Sequence, residues 1–71
     1  MYIILEVQTN SNNTVGTLVN QYEDFNQADS KFHQVLSAAA ISSVPIHSAF
    51  FLTDRGTMVK SDCYIHDDNI E

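Results

Sequence analysis

The chain has 71 residues, with nine acidic side chains against three lysines and arginines, a formal net charge of −6. That length fits one small domain, expected to span residues 1–71, with a marginal core, because chains near this size bury only roughly 60% of their unfolded surface. A single cysteine excludes an intramolecular disulfide and every structural zinc site built on several thiolates.

Hydrophobic residues make up 44% of the chain, and two glycines and one proline interrupt it, which is the composition of a folded protein rather than a disordered one. Lys31, Arg55 and Lys60 are the only fixed cations. They are too few to build a phosphate-neutralising surface, so direct nucleic-acid binding is not expected. No window approaches the ~20 apolar residues of a membrane span, and the apolar run at Tyr2–Leu5 is cut by Glu6. The expected setting is soluble and reducing, with Cys63 a free thiol and no membrane partner.

Tyr2 to Thr9 alternates as a strand, with Ile3, Leu5 and Val7 on one fully apolar face. Asn10-Ser11-Asn12-Asn13 reads as a turn, since asparagine tolerates left-handed backbone. Thr14 to Tyr22, rich in β-branched residues, returns as a second strand, in which Gly16 suggests a bulge or a close backbone approach. Asn26 then suits a helix N-cap, with Asp29 at the third helical position to offset the dipole. From Gln27 to about Ser42, Ala28, Phe32, Val35, Leu36 and Ala39 recur on one helical face, and Pro45 stops the segment. Ile46 to Thr53 is the third strand, Asp54-Arg55-Gly56 a tight turn, and Thr57 to His66 the fourth strand. Asp67 to Glu71 forms a polar tail. The expected fold class is α+β: a ββαββ chain with a four-stranded antiparallel sheet and one helix across a face.

A helix lying on a sheet needs one buried stripe and normally carries charge elsewhere, yet this one has only Asp29 and Lys31. His33, Ser37 and Ala40 gather away from the apolar stripe, with Ser30 and Ile41 adjoining. Such a face is either the bland solvent side of a good helix former or a surface covered by another copy. The marginal core favours the second, so a homo-oligomer, most simply a homodimer, is expected.

The chemistry-bearing residues are sparse. Cys63 and His66 lie three apart on a strand, so they point to opposite faces and cannot share an ion without a bulge. No other metal-ligand spacing occurs, and neither metal nor cofactor is expected. Cys63 would need an adjacent base to act as a nucleophile. The acidic pairs Glu23-Asp24 and Asp67-Asp68 flank turns or the tail, where solvated charge is ordinary. Catalysis is therefore not expected. A ligand site shared between subunits stays open, with Lys31, His33 and His47 as its candidates near the helix N-terminus, where unsatisfied N–H groups favour an anion. The competing account is a solvated lysine and independent histidines.

The stretch Ser30-Lys31-Phe32-His33, the triplet Ala38-Ala39-Ala40, Pro45 with His47-Ser48, and the late Cys63-Tyr64-Ile65-His66 resemble a group of short prophage-encoded proteins of Gram-positive gut bacteria. Ile3-Leu5-Val7-Gln8 and Thr14-Val15-Gly16-Thr17-Leu18 are similar too, so the resemblance covers most of the chain. It implies a phage accessory protein, inside a bacterial host cell or in a virion, and carries no activity. In that context three roles arise. The first is an inhibitor of a host defence or metabolic system that binds a host protein through its acids, Asp54, Asp62, Asp67, Asp68 and Glu71, in the manner of a nucleic-acid mimic. The second is a sponge that sequesters a small nucleotide signal between subunits. The third is a minor structural component of the particle. The first is the leading expectation, with the protein placed in the cytoplasm of the bacterial host cell.

Overall fold

Two antiparallel hairpins flank a single helix and merge into one sheet. The computed structural model describes residues 1–66. The elements run β1 (Tyr2–Thr9), β2 (Val15–Tyr22), α1 (Phe25–Ala40), β3 (Ile46–Thr53) and β4 (Met58–Ile65), the expected α+β ββαββ order. All neighbouring strands are antiparallel and the spatial order is β2-β1-β3-β4. β1 and β3 take the centre because Ile3-Ile4-Leu5 and Ala49-Phe50-Phe51-Leu52 are apolar on both faces, the pattern of strands covered on two sides.

Both turns carry residues suited to them. Asn13 has φ 66° and Gly56 has φ 87°, left-handed conformations that asparagine tolerates and glycine adopts without strain. Gly16, however, marks neither a bulge nor a close approach. It pairs regularly with Gln8, and a Cβ added there would meet nothing within 4 Å. The one irregularity lies instead between β3 and β4, at Phe51/Leu52.

The helix begins earlier than expected. Asp24, not Asn26, is the N-cap, its carboxylate accepting from the Gln27 N–H at 3.3 Å. Starting at Phe25 sets that ring against Tyr2 and Phe51, with centroids at 5.5 and 5.2 Å, and aromatic packing selects between two competent caps. Asp29 consequently lies beyond the first turn, where the N-terminal dipole does not need it. The helix ends at Ala40 rather than Ser42, with Ile41 and Ser42 donating back to Ala38 and Ala39 carbonyls.

Ala28, Phe32, Val35 and Ala39 are buried under the helix as its periodicity predicts, and Leu36 is half-buried. The sheet residues beneath it are Ile4, Ala49 and Phe51. Ile4 and Phe51 are register partners, so the face of β1 turned to the helix is Tyr2-Ile4-Glu6, not the fully apolar Ile3-Leu5-Val7. The register puts Ile3, Leu5 and Val7 on the opposite face with Ile46, Phe50 and Leu52 of β3. Val15 and Val19 of β2 and Met58 and Ile65 of β4 extend that face to both edges, and all four are exposed. No described element covers it.

Candidate functional site

Three parts of the molecule concentrate polar chemistry, and they are separate. The first is a groove between the end of β2 and the start of α1, with a volume of about 480 Å³. Tyr22 and Asp24 form one wall; Asn26, Gln27, Ser30, Lys31 and Gln34 form the other. The helical residues recur at three- and four-residue spacing, so their side chains share one face of α1. Lys31 supplies a cation, and the amides and hydroxyls supply donors and acceptors of both kinds. Asp24 is already committed to capping.

The second part is internal. His47 is only 4% exposed, and its Nε2 donates to the Glu6 carboxylate, which also accepts from Gln8 Nε2 at 3.2 Å. His47 Nδ1 is buried with no hydrogen-bond partner among the described residues. A half-buried carboxylate beside a buried imidazole is a costly arrangement unless each satisfies the other, so this pair fixes how the β1 and β3 side chains meet under the helix.

The third part joins the helix to β4. Lys60 Nζ donates to Asp29 at 2.6 Å, and His33 Nε2 lies 3.5 Å from the other carboxylate oxygen. The lysine hydrogen bond, with the nearby positive charge, holds the Asp29 carboxyl below the usual carboxylate range. Lys60, the one cation of β4, is thereby engaged.

These placements divide the anticipated ligand set. Lys31 lines the groove on the β2 side, His33 turns toward Asp29 on the β4 side, and His47 is sealed beneath the helix. One chain does not gather the three. The helix residues Ser30, His33, Ser37, Ala40 and Ile41 are all exposed. Of the acidic set, Asp54 lies in the β3–β4 turn, 3.7 Å from the N-terminal amine, and Asp62 is exposed along β4. Asp67, Asp68 and Glu71 lie outside the described residues. Cys63 and His66 point apart as expected: Cys63 is exposed on the uncovered sheet face, where Ser48 Oγ donates to its sulfur at 3.2 Å. His66 instead reaches the Ala39 carbonyl at 2.7 Å and stacks on Tyr64. Among the described residues no three His, Cys, Asp or Glu side chains converge on a possible metal position, and no helix is long and apolar enough to cross a membrane.

Compared with known protein families, curated proteins and solved structures, the chain matches none.

Tyr22, Gln27 and Gln34 of the groove were not singled out from the sequence. Their signal was present as a polar row at helical spacing beside Lys31, but only the neighbouring end of β2 makes it concave. Glu6 carried a clearer signal, a carboxylate inside the apolar run from Ile3 to Val7.

Proposed function

We propose that the chain is a small acidic binding protein that counters a system of a bacterial host by contact rather than by catalysis. The observation that carries this reading is the state of the β4 side: Asp62 is exposed on an edge strand whose only cation, Lys60, is tied to Asp29, and Asp54 stands in the turn that leads into it. A partner approaching there meets the exposed Asp62 carboxylate without an offsetting β4 cation, which favours a basic surface and steers its approach. The histidines and the cysteine are engaged in contacts within the fold, which supports recognition over chemistry.

The test is binding to candidate basic host proteins, with and without neutralisation of Asp54, Asp62, Asp67, Asp68 and Glu71 to their amides. Affinity should fall steeply with ionic strength, and the neutralised variant should bind at least about tenfold more weakly. Binding indifferent to both salt and neutralisation would reject this role.

The groove favours a second possibility, capture of a small nucleotide with Lys31 as the phosphate contact. A nucleotide would then raise the melting temperature of the wild type and leave Lys31→Ala unchanged.

A further inference from the structure

The uncovered face of the sheet is the largest feature that neither the fold nor the proposed binding role uses. Its centre is formed by Leu5 and Phe50, direct register partners on the two inner strands, flanked by Ile3, Val7, Ile46 and Leu52. We propose that a second copy of this chain packs on this face, making a twofold dimer of two sheets with the helices outside.

Three observations select a second copy over another occupant. The first is charge. The chain carries a net −6, yet every register position on this face is apolar or uncharged; Glu6, Lys60 and Asp62 all turn to the helix side. Two strongly acidic molecules can meet here without opposing like charges. The second is extent. Four strands of eight residues give a face of roughly 19 by 27 Å, about 500 Å² in projection, at the usual strand spacing and rise. Pairing two such faces removes about 1,000 Å², where specific interfaces begin, and side-chain relief adds to it. The third is stability. Among the described residues the buried core holds only four apolar side chains larger than alanine, Ile4, Phe32, Val35 and Phe51. A core this small needs its cover whenever the chain folds, and another copy is present wherever the chain is made. Sheets packed face to face interdigitate about 10 Å apart, which suits the branched and aromatic residues found here.

Sedimentation of the full chain across the micromolar range tests this, with three variants followed by circular dichroism. The wild type should sediment at twice its 8.0 kDa mass. Leu5→Glu at the centre, and Val19→Glu at a position already 58% exposed in the single copy, should weaken association at least about tenfold by burying a charge. Ser37→Glu, on the exposed outer face of the helix, should leave the dimer intact. Should Leu5→Glu fail to fold, Val19→Glu and the wild-type thiol decide. Cys63 lies on the same face, so its reaction with a bulky thiol reagent should slow as protein concentration rises. A wild-type monomer throughout the range overturns the proposal. So does a dimer indifferent to Val19→Glu with a concentration-independent Cys63 rate, or one dissociated by Ser37→Glu alone.

Discussion

At the scale of single residues, the Glu6–His47 pair shows how a polar contact can be forced inside a small core. Both side chains lie largely out of water, so each depends on the other for a partner. Glu6→Ala should leave His47 buried with neither ring nitrogen bonded among the described side chains, a loss of about 1–3 kcal/mol measurable by chemical denaturation. Asp29 supports a separate prediction about pH. Its carboxyl is held below the ordinary range by Lys60 in the folded chain, so the native state binds fewer protons than the unfolded one in that region. The contact therefore stabilises the fold above the unfolded carboxylate pKa of about 3.9, and that contribution fades as pH falls through the lower native value. Asp29→Asn should flatten the acid limb of the stability profile below about pH 4, and added salt should narrow the difference because the pair is partly exposed.

At the scale of elements, the start of α1 is decided by what Phe25 packs against. Asp24 caps the helix through the Gln27 N–H, so Asp24→Ala should cost about 1 kcal/mol, whereas Asn26→Ala, inside the helix, should cost much less. Thermal or urea denaturation of the two variants distinguishes the cap directly. The five elements themselves were legible from periodicity and turn chemistry, because strand alternation, helical spacing and the Asn- and Gly-bearing turns act over a few neighbouring residues. The helix boundary was not, since two competent caps stand two residues apart and only the aromatic contact with Tyr2 and Phe51 separates them. Gly16 was likewise open in the sequence: a glycine in a strand fits a bulge, a close approach or a plain exposed position, and its neighbours in space determine which.

At the scale of the whole molecule, a two-layer fold leaves half of its sheet surface without cover, and here that half is uncharged with an apolar centre. With a second copy on it, unfolding is coupled to dissociation, so the melting temperature should rise as protein concentration increases. Differential scanning calorimetry over a wide concentration range checks this, and Val19→Glu should both lower the melting temperature and remove its dependence on concentration. The acids among the described residues are kept off that face, on the helix side, in the turns and along β4, so a different partner can approach the exposed Asp62 while the face stays covered.

The sequence by itself determined the element order, the helix stripe of Ala28, Phe32, Val35 and Ala39, the turns, and the separation of Cys63 from His66. Each follows from the fixed periods of helix and strand, which are local properties of the chain. Tertiary structure alone decided which face of β1 lies beneath the helix. Ile3-Leu5-Val7 is the more apolar alternation, yet Ile4 is the buried one, because Phe51, Ala49 and the Glu6–His47 pair come together only when β3 docks beside β1. The same docking buried His47 away from Lys31 and His33, which the helix itself already turns to different sides, and left the most apolar strand face uncovered. Alternation along one strand gives two faces but cannot say which meets the helix, since that depends on partners distant in sequence.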